Sequence, residues 1–213
     1  MGIMQAAIFN TLRILKRQNP GDCYYEAYLG HLQKSGPEFY DQYMLLWEIA
    51  VTMAPRRILE IGTRTGISLC QLMSAFIDPS IIEKVTCIDP FMDPYTSAAL
   101  VLRNLKYLNL PTDKIEFLVE KSQDCLPKLI ARAEKYDYIL VDGDHEKTAA
   151  RLDLESAHNL IAPKGIIVFD DVSTEPGECA LIDVWDQFKG EHETEYDWHQ
   201  NLSGKGTAWA FKK

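Results

Sequence analysis

The feature that most constrains this chain is a rhythm. Five short apolar runs, "RILEIG" (57–62), "KVTCID" (84–89), "IEFLVE" (115–120), "YDYILVD" (136–142) and "GIIVFD" (165–170), alternate with stretches of helical periodicity at roughly 66–78, 95–109, 122–134, 147–161 and 178–190. Runs that are apolar on both faces must be buried on both faces, and strands alternating with helices satisfy that as a parallel sheet covered on either side. The end of the chain differs: "ETEYDWHQN" and "GTAWAFK" flank "LSGK", the pattern of an antiparallel hairpin. The expectation is an α/β fold: a doubly wound, Rossmann-like sheet, mostly parallel, with an antiparallel C-terminal hairpin.

No repeat, low-complexity tract or Pro/Gly-rich linker interrupts the 213 residues, so a single domain, 1–213, is the simplest partition. Residues 55–213 form its Rossmann-like core. Residues 1–54 read as N-terminal helices at 3–17, 22–34 and 37–53, the last ended by Pro55. They serve either as a lid over a pocket or as a dimer contact, which leaves a homodimer open.

A net charge of −9 disfavours nucleic acid and anionic membranes as partners, because phosphates are repelled overall. No membrane-length apolar run and no signal peptide is evident. Five scattered cysteines without a CxxC pair point to a reduced, cytoplasmic compartment.

Ligands of doubly wound sheets bind beyond the carboxyl ends of the strands, so the residues there carry the functional reading. "ILEIGTRTGIS" (58–68) is a strand, a glycine turn and a helix start, where Gly62 and Gly66 permit close backbone approach. It is not GxGxxG, since Arg64 occupies the second glycine position, and Glu60 suits a ligand with a cationic group better than a pyrophosphate. Asp89, ending "CID", can accept hydrogen bonds from vicinal ribose hydroxyls. In "VEKSQDCLPKL", Ser122 and Gln123 can face a base edge.

The order "ExGTxxGxS", strand-end Asp, "SQD", "VDGDH" and "FDD" resembles the class I S-adenosylmethionine-dependent methyltransferases. Within them it resembles the metal-dependent O-methyltransferases of the catechol and caffeoyl-CoA type, nearer to the bacterial branch that modifies antibiotics and sugars. The resemblance spans about residues 37–172 and, weakly, the terminal hairpin; residues 1–36 carry no alignable motif. It implies that Glu60, Gly62, Thr63, Gly66 and Ser68 surround the methionine part of S-adenosylmethionine, that Asp89 holds its ribose, and that Ser122 and Gln123 lie beside its adenine, with Asp142 also near the cofactor.

Two of the apolar runs end in crowded acids. If the strands before them are neighbours, Asp142, Asp170 and Asp171 converge, and such carboxylates repel unless one takes up a proton or a cation is present. An all-oxygen set suits Mg²⁺ first, then Ca²⁺ or Mn²⁺, rather than zinc. The resemblance assigns the same three residues as metal ligands, with an Asp-Asp pair where catechol enzymes have Asp-Asn. It also places His145 where those enzymes carry a basic lysine, and a neutral imidazole can accept a proton without a large pKa shift.

Asp144 reads first as a helix cap, and Trp185, Trp198 and Trp209, with Tyr24, Tyr25 and Tyr28, first as core and second as walls of a substrate site. The implied reaction is methyl transfer to a hydroxyl of a small molecule with vicinal oxygens: a sugar, natural product or phenolic. A metal-independent N- or C-methyltransferase, an NAD-dependent oxidoreductase and a non-catalytic binding module are the alternatives.

Overall fold

The structure, a computed structural model, describes residues 10–11, 13–17, 42–75, 78–173, 180–202 and 204–213. The expected helix at 22–34, most of that at 3–17 and the start of those at 37–53 and 178–190 lie outside the described residues. So do Cys23, Cys179, Tyr24, Tyr25 and Tyr28.

Two compact units emerge. One draws on residues 1–54, 64–81 and 91–113, the other on 55–63, 82–90 and 114–213. The first holds α1 (Gln42–Met53), α2 (Ile67–Ser74) and α3 (Ala98–Tyr107). Ser97 caps α3 by accepting a hydrogen bond from the Leu100 N–H. In this unit Gly66 precedes α2 at φ +73°, and a Cβ there would meet Val101 Cγ1 at 2.7 Å. The buried Asn104 amide donates to the Thr65 carbonyl and holds the same turn from the other side.

The second unit carries the sheet: β1 (Arg57–Ile61), β2 (Lys84–Ile88), β3 (Ile115–Leu118), β4 (Tyr136–Val141), β5 (Ile161–Asp170), β6 (Tyr196–Asn201) and β7 (Thr207–Lys212). Their order is β3-β2-β1-β4-β5-β7-β6. The first five pair in parallel, while β7 runs antiparallel to both β5 and β6. The doubly wound sheet and its hairpin are thus as the apolar runs predict.

One difference lies at β5, which starts at Ile161 rather than Gly165. Tyr136 pairs with Ile161 but Tyr138 with Ile166, so "APKG" is accommodated as an irregularity, with Lys164 at φ +62°. Alternation along the strands sends Leu59, Ile61, Ile139, Val141, Ile167 and Phe169 to one face. There they pack with residues of α4 (Ser122–Ala131), α5 (Lys147–Leu160) and α6 (Ile182–Glu191). Trp185 belongs to this core and the half-buried Trp198 packs on it edge to face, whereas Trp209, also expected there, is half-buried and stacks on His199.

Candidate active site

The two ends of the parallel strands differ in charge balance. At the amino ends acids are matched: Glu134 accepts from Arg57 and Lys84, and Asp137 accepts from the backbone N–H groups of Arg56 and Arg57. At the carboxyl ends of β4 and β5 acids crowd instead.

The crowding follows from register. Val141 pairs with Phe169, so Asp142 and Asp170 each extend their strand one residue beyond that pair, on the face opposite the core just described. Glu60 pairs with Leu140 and shares that face. Glu60, Asp170 and Asp142 all act on the buried Tyr138 beneath them, whose phenol is pushed well above its ordinary value, first by burial and then by these carboxylates.

Gly62 lets the β1 and β4 ends close on each other. It sits at φ +90°, and a Cβ there would lie 1.8 Å from the Asp142 carbonyl oxygen. The ladder continues past both strands, through Asp142 N–H to the Ile61 carbonyl and Gly62 N–H to the Ile88 carbonyl, each at 2.9 Å. This crevice between β1 and β4 is where the strand order reverses, the place where doubly wound sheets take their ligands.

Around it, His145 Nε2 lies 2.9 Å from Asp171 Oδ2 and 3.9 Å from Asp142 Oδ1. Asp142, His145 and Asp171 can each offer one ligand atom, all within 4.8 Å of one another. Asp171, 2% exposed, holds the left-handed conformation at φ +59°, a strain that a non-glycine residue keeps only when its surroundings impose it. Asp170 stands outside the closest group; its Oδ1 accepts from Thr207 Oγ1 at 3.1 Å.

The electrostatics separate the three acids. Burial and the neighbouring Asp142 and Asp171 push Asp170 well above the usual carboxylate range. Burial also raises Asp142, with His145 opposing. For Asp171 burial is outweighed by His145 and Lys205, and its pKa is lowered. Protein groups therefore neutralise Asp171, while the other two compete for a positive charge.

Of the residues expected to hold the cofactor, Glu60, Thr63, Asp89 and Ser122 are buried at or just past strand ends or at the first turn of α4, with Gln123 next to Ser122. Gly66 and Ser68 lie in the other unit, at the start of α2. Asp144 does not cap α5. Glu146 does, accepting from the Ala149 N–H, while Asp144 accepts from the Glu146 N–H in the preceding turn.

Three participants escaped the sequence reading. Lys205 Nζ reaches Asp171 Oδ1 at 3.4 Å, Thr207 holds Asp170, and Asp153, 1% exposed, lies close behind Gly143. The signal for Asp153 was present: it interrupts the buried stripe Ala149, Ala150, Leu154, Ala157 and Leu160 of α5. Lys205, between two glycines in the hairpin turn, carried no such mark.

Comparison with known proteins gives the family and the fold. The sequence model of a family described as a methyltransferase domain matches residues 59–172. The chain belongs to that family of methyltransferases, and its fold is the class I methyltransferase fold.

Among solved structures, an O-methyltransferase from Bacillus cereus in complex with SAH shares 20% identity at a TM-score of 0.64, covering 98% of this chain and 91% of that one. TomG from Streptomyces achromogenes, an O-methyltransferase involved in tomaymycin synthesis and solved with SAM, shares 18% at 0.61, covering 100% and 91%. Cofactor-bound Rv0187 from MTB shares 21% at 0.62, covering 100% and 90%. These likenesses are of fold. None of the curated proteins matches the chain.

Proposed function

We propose that the chain is a divalent-metal-dependent O-methyltransferase that moves the methyl group of S-adenosylmethionine to a hydroxyl of a small molecule bearing vicinal oxygens. The observation that carries this reading is the approach of Asp142, His145 and Asp171 within 4.8 Å of one another beyond β4 and β5, with Asp170 beside them raised by burial and then by both acids. Oxygen ligands of this kind fit Mg²⁺, with Mn²⁺ or Ca²⁺ as substitutes. Asp142, Asp170 and Asp171 would hold the ion, which supplies the charge that makes a substrate hydroxyl more acidic.

The remaining work falls to side chains. Glu60 faces the cationic sulfonium end of the donor, with Gly62 and Thr63 in the turn beside it. Asp89 accepts from the ribose hydroxyls, and Ser122 and Gln123 lie along the adenine. His145 takes the proton from the attacking hydroxyl, and Asp171, 2.9 Å from Nε2, stabilises the imidazolium that results. The C–S bond of the donor breaks as the O–C bond forms.

The neighbours in fold, O-methyltransferases from Bacillus cereus and from tomaymycin synthesis, support transfer to oxygen. The buried thiols Cys70, Cys87 and Cys125 support a reduced, cytoplasmic setting. Among the described residues no helix is long and apolar enough to cross a membrane. A metal-independent methyltransferase is the second reading, favoured by the pairing of Asp171 with His145 and Lys205; the family leaves no place for a dinucleotide oxidoreductase.

The test is transfer of labelled methyl from S-adenosylmethionine to a panel of sugar diols, catechols and amines, with and without chelator. Labelling of a vicinal-oxygen substrate that stops on chelation and returns with Mg²⁺ supports the proposal. Transfer to any acceptor that proceeds equally in excess chelator refutes it.

A further inference from the structure

We propose that Lys205 is the resident counter-ion of the acid pocket and competes with a divalent cation for Asp171. The inference rests on reading that pocket as a metal site, and it concerns what a metal ion must displace to enter it.

Each oxygen of Asp171 faces a nitrogen, and the Lys205 contact is an ion pair without a hydrogen bond. His145 Nε2 stands 2.9 Å from Oδ2, and Lys205 Nζ stands 3.4 Å from Oδ1. Mg²⁺ binds carboxylate oxygen at about 2.0–2.1 Å in a near-octahedral shell. A doubly charged ion and an ammonium on one carboxylate repel strongly, so one of the two neighbours has to leave.

Lys205 is built to leave. Its side chain is 59% exposed, against 38% for His145, and its flexible four-carbon stem lets the charge move into water at small cost. The backbone beneath is the opposite. Gly204 and Gly206 flank Lys205 with φ of +64° and +76°. A Cβ on Gly206 would lie 2.8 Å from the Val172 carbonyl carbon and 2.9 Å from the Ser173 nitrogen, and Val172 N–H donates to the Gly206 carbonyl. The hairpin turn is therefore fastened to the chain leaving β5, and from it the long, exposed Lys205 side chain reaches Asp171.

The charge balance gives the arrangement a purpose. With the metal absent, Lys205 sets a positive charge 3.4 Å from Asp171 Oδ1, beside Asp142 and Asp170. With the metal present the ammonium is surplus, and it returns to solvent at the mouth of the pocket. Lys213 offers an internal comparison: its Nζ also lies 3.4 Å from a carboxylate, that of Asp197, at 51% exposure, beyond the opposite end of β7.

The test is calorimetric titration of Mg²⁺ alone into the full chain and its Lys205→Met, Lys205→Arg and Lys213→Met variants, paired with acetylation footprinting of lysines with and without Mg²⁺. Lys205→Met is expected to bind Mg²⁺ about 5-fold more tightly, the factor that about 1 kcal/mol represents. Lys205→Arg and Lys213→Met should stay near wild type. Acetylation of Lys205 should rise when Mg²⁺ is added while that of Lys213 does not change.

Binding by Lys205→Met where wild type shows none also supports competition. Equal affinity in wild type and Lys205→Met, or a Lys205 reactivity indifferent to Mg²⁺, overturns the inference and leaves the metal site standing. No Mg²⁺ binding by any variant overturns both.

Discussion

Asp153 places a carboxylate on the buried stripe of α5, and its replacement by asparagine has a calculable consequence. Burial holds its pKa at about 6, against an ordinary 3.8; the Ser122 hydroxyl opposes the shift and Asp144 adds to it. Neither carboxylate oxygen has a close hydrogen-bond partner. At about 1.36 kcal/mol per pH unit, a carboxyl perturbed this far costs the native state about 3 kcal/mol at neutral pH.

The sign follows from which state binds the proton more tightly. Here it is the folded one, so the stability that the protonated side chain contributes is fully present below about pH 3.8 and is lost as the pH rises through about 6. An asparagine at this position would fill the same space without charge, and its amide can donate to Ser122. Urea unfolding of wild type and Asp153→Asn between about pH 4.5 and 8 measures the difference directly, because the other carboxylates titrate in both proteins and largely cancel. The variant should gain on wild type up to about pH 6–6.5 and then hold a level advantage of about 1–3 kcal/mol to pH 8. A difference that stays flat with pH, or a variant less stable than wild type at the alkaline end, refutes the account of Asp153 as an uncompensated buried acid.

Gly62→Ala should cost more than about 4 kcal/mol or prevent folding, since its Cβ would overlap the Asp142 carbonyl; soluble yield and thermal melting report it, and a near-native melting temperature would contradict the closure of β1 on β4. His158, stacked on His192 with ring centroids 4.0 Å apart, has a pKa lowered first by burial and then by that neighbour. Its contribution to stability is present above the unfolded value near 6.5 and is lost as the pH falls through the lower folded value. His158→Gln should flatten that acid-side loss in urea melts, and an unchanged pH slope would show that the stacked pair is indifferent to charge.

The sheet was legible because its parallel strands are buried on both faces and read as unbroken apolar runs, and the hairpin because "YDWHQN" and "TAWAFK" mix polar and apolar positions about a glycine turn. Strand ends locate candidate ligands in such folds, so Asp142, Asp170 and Asp171 could be singled out before any contact was known. What escaped depends on tertiary approach. Lys205 meets Asp171 only because Gly206 lets the hairpin turn close on Val172, a fact carried by no local pattern. The early start of β5 was hidden because "APKG" reads as a turn, yet Ile161 pairs with Tyr136 across the irregularity. Asp144 looked like a cap by residue type, whereas the residue that caps the helix comes later, at Glu146. The division into two units falls within the "GTRTG" turn and after "CIDP", where composition does not change.

The central claim, that the acids beyond β4 and β5 hold a divalent cation, is tested most directly by electron paramagnetic resonance titration of Mn²⁺ into wild type and Asp142→Asn. A single tight ion per chain in wild type, displaced by Mg²⁺ and lost or weakened roughly tenfold or more in the variant, is the predicted result. Identical Mn²⁺ binding by the two proteins, or no binding by wild type, would contradict it.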